Sequence, residues 1–300
     1  MRAMKEVEKL VNEYLDYLEI ERNRSPKTRE NYRRYLEVFV KETGISSYRE
    51  ITAERVRKFR LVLARKSLKK ATQSYYVIAL RNFLKYLIKR GFSDVLAPET
   101  IELPKIPRRD IETLEYRELE RLLAAPEGNS LKVLRDRAIL EVLFSTGLRL
   151  SELCALNRYI DLERGEISVR GKGEKLRVVF LAESTKKALK AYLEKRGDAD
   201  EALFVSITRN GKVLGRITPR TVQRIIDRYA RKAGIPKKVH PHQIRHSFAT
   251  DLLINGADLR SVQELLGHAN ISTTQVYTHL TNKELREVHE AFHARRRRKE

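Results

Sequence analysis

The run APETIELPKIPRRD at residues 97–110 constrains this chain more than any other stretch of it. It holds three of the eight prolines and no apolar stripe of helical spacing, so it reads as an extended linker. On either side the pattern differs in kind, which predicts an all-helical domain over 1–96 and a mixed domain over 111–300. Three hundred residues suit that division, since each part is long enough to bury a core of its own.

In the first part Val7, Leu10, Val11, Tyr14 and Leu18 make one apolar stripe on a first helix. Ser25-Pro26 restarts the helix, with serine as cap and proline in the first turn, and Tyr32, Tyr35, Leu36 and Phe39 carry the stripe on toward Gly44. Thr52 caps a third helix, and residues 71–90 form a fourth that Gly91 stops. Beyond the linker, helices are expected near 114–125 and 131–146. EISVRG and KLRVVFL, joined by GKGE, then read as a hairpin to which LFVS at 203–206 adds a third strand. Thr218-Pro219 restarts the helices, and a short last one over 282–293, striped by Leu285, Val288, His289 and Phe292, precedes the basic tail RRRRKE. The fold class expected is mainly α, with a small antiparallel β-sheet in the C-terminal domain (α+β).

Charge points to the partner. Lys and Arg number 62 against 40 Asp and Glu, a formal +22, as suits a polyanion such as nucleic acid. A membrane fits less well: no apolar run approaches the roughly 18 residues of a span. The opening MRAMKEVEKLVNEYL is amphipathic and carries acids, unlike a targeting leader. A soluble, cytoplasmic, nucleoid-associated protein is expected. The lone Cys154 forbids an intrachain disulfide and reads as core, and the absence of Trp with 34% charged residues suits a heat-adapted source, such as an archaeal one.

Residues 1–110 carry 26 basic and 15 acidic side chains, and 111–300 carry 36 and 25, so both parts should face the polyanion. Within 54–90 the count is 12 basic to the single Glu54, with Gln73, Ser74, Tyr75, Tyr76 and Asn82 interleaved. That pattern favours DNA contact over a merely solvated helix face, with Arg55, Lys58, Lys69, Lys70, Gln73, Arg81 and Lys85 as candidates.

The reactive candidates are individually weak. Arg149 and Glu152 in TGLRLSEL are spaced as a structural ion pair, and Lys172 sits in a glycine-flanked turn where lysine is usually solvated. In HPHQIRHSFAT, His242 and Arg245 share a face just after a helix start at Pro241, an arrangement suited to an oxyanion. His242 and His246 also have metal-chelating spacing, but Arg245 would set a fixed positive charge beside the ion, and no carboxylate occurs between Val239 and Thr250. No metal is therefore expected. His268 after Gly267 reads alone as a helix cap, and Tyr277 alone as a packing residue. Together, Arg149, Lys172, His242, Arg245, His268 and Tyr277 supply a nucleophile, two guanidiniums and titratable groups, with no GxxxxGK[ST] nucleotide loop. Such a set suits phosphoryl transfer at a diester.

TGLRLSEL, the hairpin lysine, HxxR followed by His-Ser-Phe-Ala-Thr, LLGHAN and TTQVYTH resemble, in order, the signature boxes of the tyrosine recombinases, the phage integrase family. The motifs span roughly 111–280, and the basic helical domain before them is similar to that family's core-binding domain. Within the family the likeness is to the Xer group, since the chain starts directly with the core-binding domain. Ile244 stands where leucine is common in the HxxR box, a conservative departure.

The resemblance implies a C-shaped clamp on duplex DNA carrying a specific recombination site, with a dimer per site and a tetramer in synapsis. An accessory recombinase or activator is a further possible partner, and no cofactor is implied. It makes Tyr277 the nucleophile, Arg149 and Arg245 the phosphate ligands, His242 the base, Lys172 the general acid, His268 a donor to phosphate, and Glu152 a support for Arg149. It gives the last helix a choice between its own domain and a neighbouring protomer. The expected activity is Xer-type resolution of DNA multimers. The alternatives are a phage or mobile-element integrase, a type IB topoisomerase, and a non-catalytic DNA-binding or architectural protein.

Overall fold

The computed structural model describes residues 5–103, 114–171, 176–267 and 289–291. Its contacts fall into two compact units, Met1–Arg109 and Asp110–Glu300.

Among the described residues the first unit contains four α-helices, α1 (Glu6–Ile20), α2 (Pro26–Thr43), α3 (Ala53–Arg65) and α4 (Lys70–Lys89). Their ends follow the sequence cues. The Ser25 hydroxyl accepts the Thr28 amide at 3.3 Å, Thr52 does the same for Arg55, and α2 stops at Gly44 in the left-handed conformation (φ 67°) that glycine adopts without a Cβ penalty. The apolar stripes converge on Tyr14, Leu36, Phe39, Phe59, Leu80 and Phe83, all buried. Within the expected linker, Pro98–Thr100 make a 3-10 turn and Pro98 and Ile101 are buried, Ile101 with the first core, while Ala97, Glu99, Thr100, Glu102 and Leu103 are exposed.

The second unit is built on α6 (Leu131–Thr146), which is buried along most of its length beneath α8 (Glu183–Glu194) and α10 (Pro241–Ile254). α5 (Tyr116–Ala124), α7 (Leu150–Ala155), α9 (Pro219–Lys232) and α11 (Leu259–Leu266) are further helices of this unit. Burial of α6 on all sides includes Arg135 and Asp136, which its sequence would place on a wet face. Arg135 donates to Asp136 and to the Val205 carbonyl, while Arg228 and Tyr229 of α9 also donate to Asp136, so the buried charges are paired and hydrogen-bonded. Cys154 is core as expected, its thiol pushed up to about 11 by burial and only partly offset by Arg216.

β1 (Glu166–Arg170) and β2 (Leu176–Phe180) form the expected antiparallel hairpin, with Arg170 opposite Leu176. LFVS does not extend it. Val205 and Ser206 belong to β3 (Val205–Ile207), which pairs through a register shift with β4 (Val213–Arg216) in a second two-stranded sheet. A turn at Asn210-Gly211 brings β4 back beside β3, a nearer partner than the first hairpin. Of the proposed last helix, residues 289–291 are described and helical. His289 is buried between Phe180 and Phe248, its Nε2 2.7 Å from the Ser145 carbonyl, so this residue packs on its own unit. The rest of 282–293 and the basic tail lie outside the described residues.

Candidate active site

Four segments meet where α11 ends. α6 stops at Gly147 in the left-handed conformation (φ 58°), and a Cβ there would lie 2.5 Å from Phe248 Cδ1, so conformation and close packing both require glycine. Two residues on, Arg149 occupies the N-cap of α7, and its amide donates to Glu152 Oε2 at 2.8 Å. The Arg149 guanidinium closes the pair through Nη1 to Oε1 at 2.9 Å, so the expected ion pair exists.

Arg245 arrives from the first turns of α10 and is buried. Its Nη1 donates to the Gly147 carbonyl at 2.5 Å and its Nη2 to the Leu266 carbonyl at 2.7 Å. These partners are neutral. Burial first, and then the charges of Arg149 and Arg177, pull its pKa down from 12.5 to about 10 despite Glu152 nearby. The group stays cationic at neutral pH, in surroundings that an incoming anion would improve.

Arg177, on β2, is the member that sequence reading missed. It meets Glu152 with both terminal nitrogens, at 3.0 and 2.7 Å, and its Nε donates to the Leu265 carbonyl at 3.3 Å. Arg149 Nη2 takes the Gly267 carbonyl at 3.1 Å. Three successive carbonyls, of Leu265, Leu266 and Gly267, thus hold three different arginines at the negative end of the α11 dipole. The one signal for Arg177 was its place in the alternation of KLRVVFL, where a charged side chain on a half-buried strand needs a partner; nothing local names that partner.

Burial pushes the Glu152 carboxyl up, but hydrogen bonds from Arg177 and the Arg149 amide, with the Arg177 charge, outweigh it and hold the pKa at about 2, against 4.5 ordinarily. A carboxyl whose pKa falls on folding adds stability that is full above its unfolded pKa and lost as pH falls through the folded one. That difference corresponds to about 3 kcal/mol. Glu152→Gln is therefore expected to lower the urea midpoint of the second unit at neutral pH, with the gap to the parent closing between about pH 5 and about pH 2. A gap independent of pH would show that the charge of Glu152 does not stabilise the fold.

His242 is exposed, in the first turn of α10, one helical turn from Arg245. The structure therefore brings Arg149, Glu152 and Arg245 together, adds Arg177, and places His242 on the Arg245 helix. Lys172, His268 and Tyr277 lie outside the described residues; Lys172 follows β1 by two positions and His268 follows Gly267 directly. Among the described residues no group of three or more His, Cys, Asp or Glu is placed to hold a metal ion.

On the first unit, α3 and α4 border an open groove lined by Arg57, Arg60, Lys70 and Gln73 with Leu61 and Val77. Lys70 and Gln73 were expected to face DNA; Arg57 and Arg60 were not singled out. Arg55, Lys58 and Lys85 are exposed or half-exposed but ion-paired with Glu50, Glu54 and Glu99, and Lys69 and Arg81 lie at the N-cap and in the middle of α4. Ser74 is buried and Asn82 donates to the Tyr32 hydroxyl, so these two interleaved polar residues serve packing.

No helix among the described residues is long and apolar enough to cross a membrane. The phage integrase family model matches residues 112–284, and the phage integrase N-terminal SAM-like domain matches residues 11–91. Tyrosine recombinase XerC of Shigella dysenteriae serotype 1 (strain Sd197) is 41% identical over 295 residues, covering 96% of this chain and 97% of its own. XerC of Escherichia coli O157:H7 (strain EC4115 / EHEC) is 40% identical over the same lengths. Among solved structures, the XerH recombinase bound to palindromic difH substrate in a post-cleavage complex is 26% identical with a TM-score of 0.67, covering 92% of this chain and 82% of that one. A lambda integrase dimer bound to a COC′ core site shares the fold at 19% identity and a TM-score of 0.68, covering 91% of this chain and 98% of that one. Family models spanning both parts, and XerC-like sequence along nearly all of its length, show that the chain belongs to the phage integrase family, as a tyrosine recombinase of the Xer type.

Proposed function

We propose that the protein cuts and rejoins duplex DNA at a specific site through a 3′-phosphotyrosyl intermediate and, in the cytoplasm, resolves multimers of a chromosome or plasmid. The observation that carries the reading is the pair Arg149 and Arg245, brought from separate helices to the end of α11 with hydrogen bonds mainly to neutral carbonyls. Guanidiniums held this way match the non-bridging oxygens of a phosphodiester.

Tyr277 oxygen attacks phosphorus as the bond to the 5′-oxygen breaks. A phenol with pKa near 10 must lose its proton in that step, and His242 accepts it. Lys172 gives a proton to the leaving 5′-oxygen, His268 donates to a non-bridging oxygen, and Arg149 and Arg245 stabilise the charge gathering on phosphorus. A 5′-hydroxyl from the partner strand then reverses the chemistry, so the phosphodiester bond energy is kept and no nucleotide is consumed. Dimers on each site, joined as a tetramer in synapsis, bring the partner strands together, with an accessory recombinase or activator as a possible addition. The groove with Arg57, Arg60, Lys70 and Gln73 supplies contacts to backbone and base edges.

The test is incubation, without nucleotide, with a plasmid carrying two directly repeated candidate sites from the source replicon. Two smaller covalently closed circles are expected. Insertion between plasmids in place of resolution would assign the chain to a mobile element, and relaxation of supercoils without strand exchange would overturn the recombinase reading.

A further inference from the structure

The geometry points to Arg177 as a positioning residue of the reaction centre: by taking up most of the charge of Glu152, it leaves Arg149, whose side chain makes a single bond to that carboxylate, and Arg245, whose hydrogen bonds go to carbonyls, with positive charge for the phosphate. This rests on the phosphoryl-transfer reading above.

Glu152 is one carboxylate shared by two guanidiniums, and the sharing is unequal. Arg177 meets both oxygens with both terminal nitrogens, at 3.0 and 2.7 Å, in the fork-to-fork geometry that makes such pairs strong. Arg149 gives its side chain to one oxygen only and spends its other terminal nitrogen on a carbonyl. Exposure follows the same order, since the Arg177 side chain is 11% exposed and that of Arg149 is 28%. The Arg177 stem also runs close over Gly267, where a Cβ would lie 2.9 Å from its Cδ, so the glycine makes room for it.

Three guanidiniums and one carboxylate leave a formal charge of two positive. A diester carries one negative charge and its pentacoordinate transition state two, so this cluster, with Lys172 left uncounted, favours the transition state over the bound substrate. Without Arg177 the charge falls to one, and the vacated carboxylate draws Arg149 into the fork and away from the anion. Arg177 itself, held by Glu152 and Leu265, has no need to touch phosphate.

A residue that merely ties β2 to α7 and α11 would behave differently, and substrate charge separates the two roles. A methylphosphonate at the scissile position carries one negative charge fewer in the transition state. Arg177→Met is expected to slow single-turnover covalent adduct formation about 100-fold on the diester and no more than about tenfold on the methylphosphonate. Adding Glu152→Gln removes the stranded carboxylate and should restore most of the diester rate, and Arg177→Lys, which keeps the charge, should stay within about tenfold of the parent. Equal losses on both substrates, or a double variant slower than Arg177→Met, overturn the inference. Should Arg177→Met fail to fold, the double variant decides by itself: a diester rate within about tenfold of the parent is expected, and a loss of about 100-fold or more overturns the inference. Arg149→Ala is the reference. If its loss is also equal on the two substrates, the phosphate-binding reading of the site falls and takes the inference with it; if only Arg177 fails the comparison, the inference alone falls.

Discussion

Tyr277→Phe is expected to bind its recombination site with the affinity of the parent chain and to form no covalent protein–DNA adduct on a nicked suicide substrate. The substitution removes one oxygen and leaves ring volume unchanged, so the loss falls on chemistry. Affinity for DNA comes chiefly from cations neutralising phosphates, and the basic excess over residues 54–90 is untouched. The oxygen has no substitute, because phenylalanine offers no lone pair and the fixed guanidiniums of Arg149 and Arg245 can stabilise charge on phosphorus but cannot bond to it. The check is denaturing electrophoresis of protein with labelled DNA beside a mobility-shift titration on the same duplex. An adduct with Tyr277→Phe, or one in the parent chain that maps to another tyrosine, would sink the assignment of the nucleophile.

Local signals in the sequence were read correctly where the physics is local. Ser25-Pro26, Thr52 and Thr218-Pro219 cap helices because a hydroxyl needs only an amide two or three residues away, and Gly44, Gly147 and Gly267 end helices because their backbone must turn left-handed. The hairpin of β1 and β2 followed from alternation around a glycine turn. What escaped depends on distant partners. Arg135 and Asp136 look solvent-facing until Val205, Arg228 and Tyr229 come in from elsewhere in the chain. LFVS was joined to the wrong sheet because proximity in space, which its own four residues do not encode, decides pairing.

The same limit shaped the site. Arg149 and Glu152 were visible as a pair because they are one helical turn apart, and His242 and Arg245 because they share a helix face. Arg177 was invisible because its carboxylate and its carbonyl come from α7 and α11. Charge counting on α3 and α4 located a basic surface but not its working residues. It could not show that Glu50, Glu54 and Glu99 engage Arg55, Lys58 and Lys85, leaving the groove to Arg57, Arg60 and Lys70. Such exposed pairs are worth little and exchange readily for phosphate, so the counting retains its meaning for affinity while losing it for register.

Arg245→Lys is expected to slow covalent adduct formation by about a thousandfold, while Kd for the site changes by less than about threefold. The charge is conserved, so the argument rests on shape. Two terminal nitrogens of Arg245 are committed to the carbonyls of Gly147 and Leu266, which come from different segments, and these bonds fix the guanidinium plane. The remaining donors then present a fork of set direction to the non-bridging oxygens. A lysine ammonium reaching the same place must choose between carbonyls and phosphate, for its donors radiate from one atom, and whichever carbonyl it releases is left buried without a partner. Burial sharpens the difference: the same removal from water that lowers the Arg245 pKa to about 10 would press harder on an ammonium, whose ordinary pKa is lower and whose hydration is stronger. The lysine variant should accordingly regain part of its rate as pH is lowered from about 9 to about 7, a recovery the parent chain lacks over that range. Single-turnover adduct formation across that range measures both effects. A loss smaller than tenfold, or no recovery at the lower pH, would mean that Arg245 serves only as a positive charge and that its bonds to Gly147 and Leu266 are incidental to the reaction.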